Sequence, residues 1–594
     1  MSLLGKATDF LNERTGYKKL LAHALDEPVK GGARWAYVFG STLLATFTIQ
    51  VVTGVALMTS YSPGDKSAWA SVHYLQFQQA GGWLVRGIHH HGAQMMVILL
   101  GVHMAQVALF GAYKRPREVT WWFGLLLLAT TLGFALTGYL LPWDQKGYWA
   151  TRVATNIAGT IPVVGDAQQK LLVGGPEYGN LTLTRFYALH VFVLPAMLAG
   201  LAGAHVALFR KHGVTPSVKA DPKKVDPFYP RQLGRDLFAA VVVVALIVVF
   251  SVIDHGAPLD APADPASDYP ARPEWYFLAL FQLLKYFHGP MEIVGTVVLP
   301  LVVGIFLFAL PLIDRKPSTA LRGRIGPLVP LVLLALGYVG LTVQASRDDA
   351  KDAAFQKQRV VADARAKKAI ELAKVGVPPE GPLAMMRKDP ELRAPELFGK
   401  HCASCHTFGD LGSEKDRTAP KLDGWGTEKW AMDMLHEPDG DAKFGRTSLK
   451  GGMPSMDVKA ADATADWKPM SKEDMEAAAA FLASFGDDTH RDGPPSPKVV
   501  AGQKVVKGSR CTTCHLFEGN GDLNGTTEAP ELSRWGSGDW LKAQIANPSS
   551  KATYREQALD PKRKGHMPRL DTDLSAEDID LLAKWLLREG RKAR

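Results

Sequence analysis

Up to about residue 346, apolar runs of roughly 20 residues alternate with short charged stretches; beyond it the chain turns polar, rich in Lys, Asp, Glu, Gly and Pro. A helix needs about 20 apolar residues to cross a bilayer. Seven runs meet or approach that length: 36–58, 86–110, 121–141, 185–209, 236–253, 292–313 and 326–345, the fifth being the shortest. The pattern predicts an all-α chain: a seven-span membrane bundle, then small helical domains. Lys and Arg fall in alternate loops. One set is Lys6, Arg14, Lys18, Lys19, Lys30 and Arg34; then Lys114, Arg115 and Arg117; then Arg210, Lys211, Lys219, Lys223, Lys224, Arg231 and Arg235; then Arg315, Lys316, Arg322 and Arg324. The opposite loops hold only Lys66, then Lys146, Arg152 and Lys170, then Arg272 and Lys285. Basic loops stay cytoplasmic, so the N-terminus is expected inside. Seven crossings then carry the C-terminal half outside. The net charge of +9 thus reflects membrane topology rather than nucleic-acid binding. Met1 to Arg34 is charged and broken, without the apolar core of a cleavable secretory signal.

All cysteines lie in two pentads, Cys402-Ala-Ser-Cys405-His406 and Cys511-Thr-Thr-Cys514-His515. C-x-x-C-H is the attachment site of c-type haem, with the two thiols on the haem and the histidine on the iron. Zinc ligation by the same residues needs spacings around each ion that this chain lacks. Bacterial c-type haem is attached outside the cytoplasm, which agrees with the charge-derived topology and places the chain in the inner membrane.

Histidine within a lipid-spanning run is costly and marks function. His89 and His103 are 14 residues apart in the second run, and His190 and His205 are 15 apart in the fourth. Either step is close to four helical turns, so each pair shares a face, with its members separated by roughly 21–23 Å. Two such helices clamp two haems, each iron taking one imidazole from either helix. Bis-histidine ligation leaves no open position, so such haems carry electrons rather than bind oxygen. His90 and His91 compete with His89, although spacing favours His89. Gly40 and Gly54, and again Gly124 and Gly138, repeat at 14 residues. Glycine lets a planar cofactor approach the backbone. Ordinary small-residue helix packing explains single glycines, and the matched repeat less well. Arg86 has two readings, partner of a haem propionate or interfacial anchor.

Gly82-Trp-Leu-Val-Arg-Gly-Ile-His89, Gly138-Tyr-Leu-Leu-Pro-Trp-Asp-Gln145, Leu183-Thr-Arg-Phe-Tyr-Ala-Leu-His190 and Pro273-Glu-Trp-Tyr276 resemble cytochrome b of the quinol:cytochrome c oxidoreductases, the bc1 and b6f complexes. The resemblance covers residues 30–345. The 15-residue histidine step and seven spans resemble b6 fused to its companion subunit. The b6 type anchors a further haem through a cysteine in its first span; Val38 stands at the matching place, so that haem is expected to be absent.

The resemblance implies that Glu274, in the outer loop before the sixth span, accepts a quinol proton. A carboxylate among Trp275, Tyr276 and apolar neighbours is expected to have a raised pKa. Tyr139, Trp143 and Tyr148, near the outer end of the third span, are expected to line the same pocket. Arg210, His212 and Asp236, at the cytoplasmic end, suit an inner quinone site; topology-setting charge and lipid contact explain them equally well.

The polar half holds a repeat. Ala419-Pro-Lys-Leu-Asp-Gly-Trp-Gly426 parallels Ala529-Pro-Glu-Leu-Ser-Arg-Trp-Gly536. Each copy starts with its pentad and ends in a Met-Pro turn before a helix capped by Ser471 or Ser575. Both copies resemble small class I cytochrome c domains. Met453 and Met567 are then the distal ligands beside His406 and His515, with Met456 a competitor in the first copy. The expected organisation is a cytoplasmic segment 1–35, a membrane domain 36–346, a charged linker 347–395, cytochrome c domains 396–485 and 499–594, and a Pro-rich linker 486–498 between them.

Together the resemblances imply a quinol:cytochrome c oxidoreductase subunit with two b haems, two c haems and quinol as substrate, splitting electrons between two routes while moving protons. They also imply partners: a Rieske iron–sulfur protein, because every cysteine here is committed; a cytochrome c or terminal oxidase as acceptor; and a second copy in a dimer. The alternative is a multihaem conduit without electron bifurcation. A cytochrome b anchor for a hydrogenase or formate dehydrogenase fits poorly, having no reason to carry the Glu274 loop or two c domains.

Overall fold

A computed structural model describes residues 3–217, 220–221, 223–457, 469–486, 494–522, 529–554 and 567–592. Lys219 and most of the Pro-rich linker, 487–493, lie outside the described residues. The chain forms two compact units, Met1–Met385 and Met386–Arg594. Helix dominates. The sheets among the described residues are two short pairs, Pro28–Lys30 with Val225–Pro227 and Leu516–Phe517 with Asn520–Gly521.

Among the described residues, the first unit has seven helices long and apolar enough to cross a membrane: Phe39–Met58, Gly82–Phe110, Glu118–Leu140, Asn180–His212, Phe228–Ile253, Gly289–Ile313 and Leu321–Lys351. The fifth is longer than its apolar run, because the regular helix begins at Leu233 and a kinked segment, Phe228–Gln232, with Tyr229 extended, precedes it. The first span packs on the second, and the third on the fourth.

Residues 347–395, expected as a solvated helix or linker, hold helices divided between the two units. The seventh span runs on to Lys351, and a further helix, Ala353–Leu372, opens with Asp352 accepting from the Phe355 N–H. Both stay with the first unit. Arg272 pairs with Asp349 at 2.8 Å and stacks over Phe355 at 4.1 Å, while Ala369 and Ala373 are buried. Apolar positions among the charges were enough to seat this stretch.

The second unit has one continuous core shared by both copies. Ser471 and Ser575 cap their helices as expected, accepting from the Asp474 and Asp578 N–H groups at 3.1 Å. The helices are exchanged between the copies. The first copy's N-terminal helix, Pro390–His401, packs on the second copy's C-terminal helix, Ala576–Lys592. Conversely, the second copy's Pro497–Lys507 packs on the first copy's Lys472–Ser484. In the first crossing Trp585 meets Phe398 (6.0 Å) and Phe408 (4.9 Å), and Arg393 pairs with Asp578 at 3.2 Å. In the second, Phe481 meets Phe517 at 5.7 Å, and Gly502 lies so close to the Ala477 carbonyl that no side chain fits. Trp425 and Trp535, the matching tryptophans of the repeat, touch at 5.3 Å.

Candidate functional site

The four intramembrane histidines form two facing pairs. His89 and His190 have ring centroids 6.3 Å apart. Two imidazoles bound to one metal, with bonds of about 2.0–2.1 Å, place their centroids roughly 6 Å apart, so the gap fits a single haem iron. His205 lies within electrostatic reach of His103.

Hydrogen bonds orient each ring. Thr53 Oγ1 donates to the Ile49 carbonyl at 2.7 Å and meets His89 Nδ1 at 3.0 Å. Thr137 Oγ1 donates to the Gly133 carbonyl at 2.8 Å and meets His190 Nδ1 at 3.1 Å. A threonine hydroxyl has one proton. With that proton on the helix, the oxygen accepts from Nδ1–H, which leaves Nε2 free to ligate. His103 Nδ1 meets Gln106 Oε1 at 3.1 Å, and His205 Nδ1 meets the Thr120 carbonyl at 3.0 Å, with the same result.

The repeated glycines face these rings. A Cβ on Gly138 would lie 2.5 Å from His190 Cε1; on Gly54, 3.3 Å from His89 Cε1; on Gly40 and Gly124, 3.5 Å from Cε1 of His103 and His205. They clear room for the imidazoles first. The 15-residue step in the fourth span is explained by a π-turn at Leu189–Val193, around His190. Pro195 has no N–H for the Val191 carbonyl, and the wider turn absorbs the extra residue. His90 and His91 point elsewhere: His90 faces Glu274, and His91 Nε2 lies 3.3 Å from Asp254. Arg86 is held by Gln76 Oε1 (2.7 Å) and the carbonyls of Ala257 (2.5 Å) and Pro258 (2.6 Å).

Around Glu274, Lys146 Nζ lies 2.8 Å from Oε1, and Gln94 Nε2 donates to Oε2 at 3.4 Å. The Trp275 indole donates to Gln94 Oε1. This corrects the expected raised pKa. Burial pushes the Glu274 carboxyl up, but Lys146, His90 and Gln94 outweigh it and hold the group below its ordinary value. The Tyr139 hydroxyl is buried with no hydrogen-bond partner among the described residues, and Lys146 sits 5.6 Å over its ring. Tyr276 is buried, its carbonyl accepting from the Tyr338 hydroxyl at 2.9 Å. Trp143 and Tyr148 belong instead to a buried cluster with Ala68, Leu183 and Phe186, so they support this region rather than line a pocket. Nearby, Asp260 accepts from the Tyr269 hydroxyl at 2.6 Å; burial, with Asp144 close by, pushes its carboxyl up to about 6.

Arg210 pairs with Glu27 at 2.8 Å, Asp236 accepts from Gln232 at 2.8 Å, and the His212 carbonyl accepts from Arg117 at 2.8 Å. The three expected residues are engaged with different partners. Sequence reasoning missed Thr53, Thr137, Gln94 and Lys146. The Thr-Gly pairs at 53–54 and 137–138 carried a signal for the first two.

In the second unit His406 Nδ1 meets the Pro420 carbonyl, and His515 Nδ1 the Pro530 carbonyl, both at 2.8 Å. The repeated Ala-Pro thus orients each histidine and frees its Nε2. Cys402 and Cys511 are buried, Cys514 is half-buried and Cys405 is exposed. Met456 is buried; Met453-Pro-Ser-Met456-Asp457 runs parallel to Met567-Pro-Arg-Leu570-Asp571, which sets buried Leu570 at the matching place in the second copy. Counting back three residues pairs Met453 with Met567, both half-buried against the shared core. The Gln544 amide lies 3.6 Å from Met567 Sδ.

Three family profiles match the chain: cytochrome b/b6/petB over residues 25–213, cytochrome b(C-terminal)/b6/petD over 262–361, and cytochrome c over 392–486 and 499–588. The chain belongs to the cytochrome b family and carries two cytochrome c modules fused behind it. A cytochrome b6 from Synechococcus sp. (strain RCC307) is 42% identical over 35% of this chain and 95% of its own length. A menaquinol:cytochrome c reductase cytochrome b subunit from Geobacillus thermodenitrificans is 40% identical over 36% and 99%. A cytochrome bc complex cytochrome b subunit from Chlorobaculum thiosulfatiphilum is 34% identical over 50% and 71%. Among solved structures, a hyperthermophilic respiratory Complex III chain aligns over 61% of this chain and 97% of its own, with TM-score 0.51 and 28% identity. The chain is a multi-pass membrane protein of an electron-transport family.

Proposed function

We propose that the chain is the cytochrome b/c subunit of a respiratory quinol:cytochrome c oxidoreductase in a bacterial inner membrane, its N-terminus cytoplasmic and its c modules outside. The observation that carries this reading is the pair of facing imidazoles at 6.3 Å, each with Nδ1 committed and Nε2 free. Haem, when bound, supplies one-electron transfer with no open coordination position. His89 with His190 and His103 with His205 hold two b-type haems. Cys402, Cys405, His406 and Met453 hold one c-type haem; Cys511, Cys514, His515 and Met567 hold the other. The match of Met456 to Leu570 favours Met453 as ligand and Met456 as core filler.

At the outer site Glu274 takes a quinol proton and passes it outward. Tyr139 offers its unpaired hydroxyl to the quinol oxygen, and Tyr276 closes the wall behind Glu274. Arg210 and Asp236 serve the inner quinone site. Oxidation bifurcates, so a high-potential acceptor is needed outside; with all four cysteines in haem motifs, that Rieske iron–sulfur centre comes from another chain. The c modules pass electrons onward to a cytochrome c or terminal oxidase. The working complex is a dimer.

Glu274→Gln tests this. In purified complex with unchanged haem content, quinol oxidation should fall about 10²–10⁴-fold, the usual contribution of a positioned proton acceptor. A conduit without bifurcation tolerates the change, and a wild-type rate would overturn the reading.

A further inference from the structure

Lys146 touches Glu274 as an ion pair, a contact to which the outer-site reading gives no task. It stands in the first turn of helix Gln145–Gly159, fixed by Asp144, whose Oδ1 accepts from the Gly147 N–H at 2.8 Å. Its ammonium meets Glu274 Oε1 at 2.8 Å, where the Glu274 side chain is 14% exposed and that of Lys146 37%. Its charge is also felt by Asp144 and Asp260. Asp144 Oδ2 also accepts from the Asp260 N–H at 3.2 Å, so these two acidic residues lie together, Asp144 two positions before Lys146 in the chain.

We propose that Lys146 is a positioning residue for proton uptake: its ammonium anchors the Glu274 carboxylate as proton acceptor. The inference rests on the outer-site reading above. In the step, a quinol O–H bond breaks and a Glu274 O–H bond forms. Glu274 becomes neutral and releases its ion pair, so the carboxyl is free to turn outward with its proton. Without Lys146, burial would govern Glu274 and the group would hold a proton at the pH where it must accept one. The other groups facing Glu274 are His90 and Gln94 from the second span, Tyr139 from the third and the adjoining Tyr276. Those facing Asp260 are Asp144 and Tyr269.

The test is the pH profile of quinol oxidation by the purified complex, for wild type, Lys146→Met, Lys146→Gln, Lys146→Arg, Glu274→Gln and the double variant Glu274→Gln/Lys146→Met. A neighbouring opposite charge lowers a carboxyl by about 1–3 pH units. The acid limb should therefore move up by about that much in Lys146→Met and Lys146→Gln, and return in Lys146→Arg. It should be absent in Glu274→Gln, with no added effect in the double variant. Infrared titration of the Glu274 carboxyl in the same samples should show the same upward move, and needs no turnover. An acid limb and infrared titration left unmoved by both neutral variants would overturn the inference while the outer-site reading stood. A wild-type profile in Glu274→Gln would overturn both.

Discussion

Adding one methyl group at each repeated glycine should remove haem in an order set by geometry. The Cβ of Gly138→Ala would lie 2.5 Å from His190 Cε1, closer than atoms in folded proteins come. That of Gly54→Ala would lie 3.3 Å from His89 Cε1, tight but open to a small shift. In Gly40→Ala and Gly124→Ala the distance is 3.5 Å, near ordinary contact. The π-turn around His190 and its bond to Thr137 leave that ring little freedom to retreat. Overpacking costs about 1–3 kcal/mol, and 1.4 kcal/mol is a factor of ten in an equilibrium. Gly138→Ala should weaken haem retention at the His89–His190 site about 5–150-fold, Gly54→Ala by less, and the other two least. The assay is b haem per chain from reduced-minus-oxidised spectra of purified protein, with the covalent c haems as internal reference. Full b haem in Gly138→Ala, or greater loss in Gly40→Ala than in Gly138→Ala, would refute the reasoning.

Two further outcomes follow from the same contacts. Asp314 is buried against Lys114 (2.6 Å), Arg324 (3.0 Å) and the Tyr113 hydroxyl (2.7 Å), joining the loop after the second span to the loop after the sixth. Removing one partner of a buried ion pair costs about 3–5 kcal/mol, so Asp314→Ala should lower the thermal unfolding temperature of the detergent-solubilised protein markedly. Burial raises this carboxyl, but Lys114, Tyr113 and Arg324 together hold it below its ordinary value; its stabilisation is therefore complete at neutral pH and lost only as pH falls through that depressed value. The helix exchange predicts that Trp585→Ala, a change of about 3–5 kcal/mol in a packed core, disturbs the haem of the other copy. Mass spectrometry of the peptide bearing Cys402 and Cys405 should show reduced haem attachment, whereas independently folded copies would confine the loss to Cys511 and Cys514.

The haem-ligand pattern was legible because helical periodicity turns spacing into a shared face, and His89, His103, His190 and His205 obey it. The Pro195-linked π-turn was not, because a five-residue turn has no periodic signature. Thr53 and Thr137 escaped notice because a threonine bonded back to its own helix is common in apolar spans, and only the fold reveals the imidazole on its other side. Lys146 was counted as topology-setting charge; its pairing with Glu274 joins loops 128 positions apart, and that pairing reverses the expected direction of the Glu274 pKa. The repeat in the polar half announced two copies. It said nothing of which helix covers which, since both crossings bury similar aromatic faces. The stretch 347–395 looked solvated because charge outweighs its few apolar positions, yet Phe355, Ala369 and Ala373 dock it.

The most direct test of the central claim is haem stoichiometry in the purified chain, by pyridine haemochrome spectra before and after acid–acetone extraction. Two extractable b haems and two haems retained on Cys402/Cys405 and Cys511/Cys514 are the predicted result. A preparation with its covalent haems intact but no low-spin b absorbance would contradict the account.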